Sequence, residues 1–97
     1  MTYRFLSPAA GEIEEAAQFY ESRVQGLGAD FLEELDSAIQ RILKFPKAWG
    51  LVSEQFRHCP LRRFPYTIIY TLPTSQEILI VSVFHQSREP MTWNRNL

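Results

Sequence analysis

The sequence predicts an α+β fold: an N-terminal strand, an antiparallel two-helix hairpin, and three further strands in a mainly antiparallel sheet, with the helices covering one face. Two β-branched, aromatic-rich runs, 64–70 and 78–84, flank a polar break, a pattern typical of a hairpin of buried strands. Upstream, residues 7–45 carry apolar side chains at helical spacing. The length of 97 residues suits one domain, residues 1–97.

The first elements are a short strand and a helix. Residues 3–5 alternate apolar and polar side chains, which predicts the strand. Ser7 and Pro8 predict a helix start, with Ser7 as the N-cap and Pro8 as the first helical residue. A helix of roughly 16–18 residues then follows a single apolar stripe, formed by Ile13, Ala16, Ala17, Tyr20 and Val24.

A second helix is predicted after the break at Gly26-Leu27-Gly28, and it ends at Pro46. Its apolar face consists of Phe31, Leu35, Ala38, Ile39, Ile42 and Phe45. Because so short a link leaves no room for a crossover, the two helices are expected to lie side by side as an αα-hairpin.

The last three strands form most of the predicted sheet. The run 56–61 can form a strand, and Pro60 restricts it to an edge of the sheet or to a bulged end, since proline has no N–H to donate to a neighbouring strand. In the third strand Phe64, Tyr66, Ile68 and Tyr70 share one face, and Pro65, Thr67, Ile69 and Thr71 share the other. The last strand is apolar on both faces, with Leu79, Val81 and Val83 alternating with Ile78, Ile80 and Phe84. Such a strand is normally central and covered twice, so the C-terminal tail, another subunit or a partner protein must supply the second cover.

Charge divides the chain into two halves. Residues 1–40 hold two basic and eight acidic side chains, a net charge of −6, whereas residues 41–97 hold eight basic and three acidic, a net charge of +5. This asymmetry favours an acidic or nucleic-acid partner for the second half, or simply two solvated faces. The lone Cys59 and the lack of a signal-like N-terminus or a long apolar run predict a cytoplasmic protein without membrane contact. No ligand spacing indicates a metal, and no motif indicates a cofactor.

Several short motifs in this order resemble the RelE/ParE superfamily, the toxins of bacterial type II toxin–antitoxin pairs. The resemblance is carried by Ala10–Tyr20, by Gly26-Leu27-Gly28 with Phe31, by Phe45-Pro46, by Arg63-Phe64-Pro65-Tyr66 with Ile69-Tyr70, and by Val83–Pro90 with Trp93 and Arg95. It implies a toxin neutralised by a cognate antitoxin that lays a helix or strand across it, and that meets operator DNA only through the antitoxin.

The superfamily contains two mechanisms, and the sequence is more similar to one of them. RelE-like members cut ribosome-bound messenger RNA and typically carry an arginine where this chain has Thr67, and many carry a tyrosine near the C-terminus, whereas no tyrosine follows Tyr70 here. Threonine cannot supply a permanent bidentate charge for phosphate. The resemblance therefore favours the ParE-like branch, whose members stabilise plasmids and inhibit DNA gyrase by protein binding, and which are not known to need a catalytic residue.

Two alternatives stay open: a ribosome-dependent endoribonuclease, and a non-toxic relative that keeps only the antitoxin-binding fold. For the first, the candidate catalytic residues are His85, Arg63 and Arg88, although a strand-end histidine is more often structural. For partner binding, the candidates are Arg57, Arg62, Arg63, Thr67, Ile69, Ile80, Arg88, Trp93 and Arg95.

Overall fold

A computed structural model describes residues 1–88 and 92–97 and confirms the predicted fold class. The elements are β1 Thr2–Phe5, α1 Ser7–Arg23, α2 Leu27–Lys44, β2 Arg57–Pro60, β3 Tyr66–Thr74, β4 Glu77–His85 and a short 3₁₀ helix, Thr92–Asn96. Glu89 and Pro90 of the last motif lie outside the described residues. Within the described ranges, no helix is long and apolar enough to cross a membrane.

The sheet has the strand order β1-β4-β3-β2, with β1 parallel to β4 and the other two pairs antiparallel. The doubly apolar strand β4 is therefore central, as predicted, and β2 with Pro60 is an edge strand, as predicted. Because β1 leaves the sheet after the Leu6 N–H donates to the Ile80 carbonyl (2.9 Å), none of the described strands pairs with the second half of β4 on that side. That part of β4 is instead held by side chains.

The turn of the helical hairpin contains two glycines with different structural roles. Gly26 adopts φ 88°, a left-handed conformation that side chains resist. Gly28 lies where α1 and α2 approach each other, and a Cβ there would stand 2.6 Å from the Ala17 carbonyl oxygen. The Glu21 carboxylate closes the turn by accepting the N–H groups of both glycines, at 2.9 and 3.0 Å.

Three local helix predictions are wrong. Ser7 is the first residue of α1 and Leu6 is the N-cap, with no side-chain hydrogen bond at that end. Val24 follows α1 as its C-cap, and Phe45 follows α2 in the same position. Both side chains are more than half exposed, at 58% and 59%, since the chain leaves the helical stripe there.

The main core lies between the helices and one face of the sheet. Four aromatic rings from both layers, Tyr20, Phe31, Phe64 and Tyr66, meet with centroids 4.9–6.1 Å apart, mostly edge to face. Tyr70 is fully buried, and its hydroxyl donates to the Pro46 carbonyl at 2.6 Å. This core closes the helix-covered face of the sheet.

A β-bulge in β4 changes which residues share a face. Ile69 is opposite Ser82 but Tyr70 is opposite Ile80, so β4 has one extra residue at Val81. Ile78, Ile80 and Val83 reach the main core, whereas Leu79, Val81 and Phe84 belong to a second cluster on the opposite face. The strict alternation predicted for Val83 and Phe84 is therefore wrong.

Glu12 on α1 ties three parts of the fold together. Its carboxylate accepts the Ser82 hydroxyl (2.9 Å) and the Val83 N–H (3.1 Å), both from the half of β4 that β1 leaves open. It also accepts the Asn96 amide (3.1 Å), which donates as well to the Val81 carbonyl (2.9 Å). A charged acceptor is a strong hydrogen-bond partner, so Glu12 fixes the C-terminal turn against the sheet.

Candidate functional site

The sheet face opposite the helices holds an apolar pocket of about 410 Å³, which we call the open-face pocket. Its lining residues come from the 52–58 segment, from β3, from the end of β4 and from the tail: Val52, His58, Thr67, Ile69, Phe84, Gln86, Arg88 and Trp93. Alternation along β3 turns Thr67 and Ile69 to this face, and the β4 bulge turns Phe84 to it.

The C-terminal tail forms one wall of this pocket. Trp93 is only 3% exposed and packs with Ile69 and Val81, and its ring lies 5.0 Å from that of Phe56. The tail is thus one of the three alternatives that the sequence analysis gave for covering the second face. The tail covers only part of that face, and the open-face pocket lies on the part that stays uncovered.

The polar groups at the pocket floor are neutral. Thr67 is 8% exposed, and its hydroxyl accepts a hydrogen bond from the Gln86 amide at 3.3 Å. The same amide donates to the Tyr66 carbonyl at 3.2 Å. A threonine hydroxyl engaged with an amide offers no charge to a phosphate.

A second, smaller groove of about 260 Å³ lies between α1 and the end of β4. It is lined by Glu12, Glu15, Ala16, Phe19, Tyr66, Val83, Phe84, His85 and Arg88. The ring of Tyr66 meets that of His85 edge to face at 5.2 Å. Burial raises the pKa of Tyr66 above its ordinary value, with Arg88 opposing the rise and Glu15 adding to it. Both charges therefore lie near the Tyr66 hydroxyl.

His85 presents a donor rather than a base to this groove. Its Nδ1 accepts the Ser87 backbone N–H at 3.0 Å, and the Ser87 hydroxyl lies 2.8 Å from the same nitrogen. With Nδ1 serving as an acceptor, the proton of the neutral ring is on Nε2. A general base needs an unprotonated nitrogen facing its substrate.

The structure brings two of the three candidate catalytic residues together. His85 and Arg88 both line the α1–β4 groove, and Arg88 also lines the open-face pocket. Arg63 is exposed and lines neither, and its guanidinium lies 5.7 Å from the centroid of its neighbour Phe64. A three-residue phosphate site is therefore not assembled here.

The candidate partner contacts fall into three groups. Thr67, Ile69, Arg88 and Trp93 line the open-face pocket, and Arg62, Arg63 and Arg95 are exposed elsewhere. Arg57 is engaged internally, since its guanidinium donates to the carbonyls of Trp49 (2.6 Å) and Lys47 (3.3 Å). Ile80 is a correction: its side chain is fully buried in the helix-side core, where no partner can reach it.

Sequence reasoning missed Gln86, His58, Tyr66 and Glu12. Gln86 directly follows His85, which is a candidate catalytic residue, at the end of the last strand. That position was the signal that could have identified Gln86. His58 lines the open-face pocket, whereas its neighbour Cys59 is fully buried in the helix-side core. Glu12 gave no signal, because its partners lie 70 or more residues away. Among residues 1–88 and 92–97, no group of three or more metal-ligating side chains occurs.

The two helices, the four-stranded sheet and the half-covered second face define the RelE/ParE-like class of toxin fold. The sequence of residues 3–90 matches the family described as the ParE toxin of the type II toxin–antitoxin system parDE, and the chain belongs to this family. Among solved structures, it is similar to a chain of the chromosomal ParDE toxin–antitoxin system from P. aeruginosa. That likeness has a TM-score of 0.62 and 18% identity, covering 88% of this chain and 95% of the other. No relative is found among curated protein sequences.

Proposed function

We propose that this ParE-family chain acts in the cytoplasm as a protein-binding toxin, with DNA gyrase as its favoured target, and that a cognate antitoxin neutralises it. The pair would then serve plasmid stabilisation, with operator DNA bound through the antitoxin alone. The observation that carries the choice of mechanism is the neutral, apolar floor of the open-face pocket around Thr67.

Cutting RNA through a 2′-hydroxyl requires cationic groups on the phosphate and an acid–base pair. At the open-face pocket, Arg88 is the one arginine among the described lining residues, and the Thr67 hydroxyl accepts a hydrogen bond from the neutral Gln86 amide. At the α1–β4 groove, Nδ1 of His85 already accepts a backbone N–H. These features support protein binding over phosphodiester chemistry.

The test is inhibition of gyrase by the purified chain. In a supercoiling assay, we expect the chain at micromolar excess to block conversion of relaxed plasmid or to trap cleaved DNA, and co-purified antitoxin should abolish the effect. Unchanged supercoiling would exclude gyrase as the target. Growth that continues normally on induction without antitoxin would instead favour a non-toxic relative that keeps the fold.

A second candidate function, ribosome-dependent messenger RNA cleavage, is favoured by one arrangement: His85, Arg88 and the Tyr66 ring share one groove. Primer extension on translated messages distinguishes it. New cuts in the ribosomal A site, lost in His85→Ala, would establish this activity. Their absence in an active translation extract would exclude it.

A further inference from the structure

We propose that the outer edge of β1 is a self-association surface, at which β1 pairs antiparallel with β1 of a second copy of this chain. The two four-stranded sheets then join into one continuous sheet. Because directly opposite residues of an antiparallel pair point to the same side, the helices of both copies lie on the same face of that sheet. The inference concerns the chain by itself and does not rest on a gyrase target or on an antitoxin.

The outer edge of β1 carries backbone groups that no described strand engages. The sheet order puts β1 at one edge, and all four of its residues are exposed. The N–H groups of Thr2 and Leu6 point inwards and donate to carbonyls on the β4 side, at 3.0 and 2.9 Å. Since the hydrogen-bonding groups of successive strand residues point to opposite sides, those of Tyr3 and Phe5 point outwards. Such a row of open groups is a template for another strand.

The opposite edge of the sheet, formed by β2, is protected. Its outward-pointing residues are His58 and Pro60, because the residues between and beside them face β3. The His58 N–H already donates to the Gly50 carbonyl at 3.1 Å, and Pro60 has no N–H. Prolines and covering segments are the usual means of blocking a sheet edge. In the part of the chain that the structure describes, β1 has neither, so β1 is the edge at which a strand can add.

The side chains of β1 match a copy of themselves. Tyr3 and Phe5 lie on one side of the strand, edge to face with ring centroids 5.7 Å apart, and they are 38% and 36% exposed. Their register partners in β4 belong to the helix-side core, so the two rings extend that apolar layer to the edge of the sheet. On the other side, the Arg4 guanidinium donates to the Glu77 carboxylate at 3.0 Å, which balances the one charge of the strand.

Charge also selects the register of the pair. A two-fold axis at Arg4 places two arginines directly opposite each other, which is destabilising. An axis at Tyr3 places the two Tyr3 rings opposite each other, with Phe5 on the diagonal within reach of an aromatic ring, and it pairs Arg4 with Thr2 of the second copy. The two Tyr3 residues then exchange both of their outward hydrogen bonds. We therefore assign the axis to Tyr3, in a self-complementary interface.

The length of the edge sets the expected strength. Four residues at about 3.3 Å each span about 13 Å, which gives an interface below the roughly 1,200 Å² typical of stable complexes. The net charge of −1 leaves little long-range repulsion between two copies. We therefore expect a reversible dimer that forms at micromolar concentrations.

Sedimentation of the purified full chain tests the association. The weight-average mass should rise from 11.4 kDa towards twice that value as the concentration increases from about 1 to 500 μM. Tyr3→Pro removes an outward N–H and a ring but none of the bonds to β4, so it should keep the circular dichroism spectrum and remain a monomer. Phe19→Ser is the matched control, because it removes a 49% exposed ring from α1 and should leave the association unchanged.

Cysteine cross-linking under a mild oxidant tests the register independently of these variants. With the axis at Tyr3, the Cα atoms of the two Tyr3 residues are about 5.5 Å apart, which suits a disulfide, so Tyr3→Cys should yield a covalent dimer. The two Arg4 residues lie on a diagonal about 8 Å apart, so Arg4→Cys should not cross-link. The native Cys59 is fully buried and gives no background.

Several outcomes overturn the inference. A chain that stays monomeric up to about 500 μM does not self-associate at this edge. A dimer that persists in a folded Tyr3→Pro variant, or that is lost equally in Phe19→Ser, uses another surface. Cross-linking through Arg4→Cys in place of Tyr3→Cys contradicts the register, and cross-linking of Tyr3→Cys to a different polypeptide in a monomeric chain assigns the edge to a foreign strand. None of these results depends on the supercoiling assay, so either test can fail alone.

Discussion

On the helix side of the sheet, Ile68, Tyr70 and Ile80 are completely buried under α1 and α2, whereas on the opposite side Phe84 remains partly exposed at the edge of an open pocket. Both faces are apolar, yet two helices cover the first, and one turn of 3₁₀ helix with the 52–56 segment covers part of the second. The difference separates a face that stabilises the fold from a face that can still bind a partner.

The largest difference is expected between two phenylalanines, one on each face. Phe31→Ala should lower the free energy of unfolding by about 3–5 kcal/mol, because the ring is fully buried among three aromatic neighbours. Phe84→Ala should cost about 1–2 kcal/mol, since that side chain is already partly exposed in the open-face pocket. Urea denaturation of both variants checks this, and equal losses would mean that the second face is as closed as the first.

The tail provides the next test. Trp93→Ala should cost about 2–3 kcal/mol, because the indole is buried against Ile69, Val81 and Phe56. It should also enlarge the exposed apolar surface, which binding of a hydrophobic dye would detect. Trp93→Phe, which keeps an aromatic wall, is the control. A loss below ~0.5 kcal/mol would show that the tail contributes little cover.

The tail also shows what sequence could and could not predict. The order of elements, the central place of β4 and the need for a second cover followed from apolar periodicity and from Pro60 at an edge. The extra residue at Val81 was not predicted, because Leu79, Ile80 and Val83 are apolar whichever face they occupy and so leave no alternation that a bulge would interrupt.

For the candidate site, positions that follow from local alternation along a strand could be predicted. Positions that depend on how separate segments fold onto one another could not. Thr67 and Ile69 were placed on one face by strict alternation along β3, and the structure puts them together in the open-face pocket. Arg57 was a candidate partner contact as one of the basic residues in the second half of the chain. Its bonds to the carbonyls of Lys47 and Trp49 depend on how the loop folds back, which composition does not encode. Ile80 was a candidate partner contact because the last strand is apolar on both faces, and the sequence does not show which of them the helices cover.

A pH test addresses only the helix-covered face of the sheet. Burial strongly raises the pKa of the Tyr70 phenol, which Arg57 opposes, and the hydroxyl donates to the Pro46 carbonyl. Because the folded state holds this proton more tightly than the unfolded chain, the contribution is complete below pH ~10 and is lost as pH rises further. The free energy of unfolding should therefore fall above pH ~10 by up to about 1.4 kcal/mol per pH unit for this group.

Tyr70→Phe separates this group from the rest. The variant should lose about 1 kcal/mol at neutral pH through the missing hydrogen bond, and it should show a shallower decline in alkali. A residual decline is expected, because burial also raises the pKa of Tyr20, Tyr66 and Cys59. Tyr3→Phe, a change at an exposed phenol, is the matched control. An unchanged decline in Tyr70→Phe would remove Tyr70 as its source.

The smallest effect is expected for Thr67→Val, in a comparison of two hydroxyls of the same sheet, one turned to each side. Ser82 is fully buried and donates to the Glu12 carboxylate at 2.9 Å, so Ser82→Ala should cost about 1–2 kcal/mol. Thr67 accepts from the exposed Gln86 amide at 3.3 Å, and water can replace that bond from the open pocket, so Thr67→Val should cost less than ~0.5 kcal/mol. Paired thermal and urea unfolding measures both changes. A larger loss in Thr67→Val would mean that the open face is held by specific bonds, and a pocket fixed in that way would be less able to adapt to an antitoxin segment.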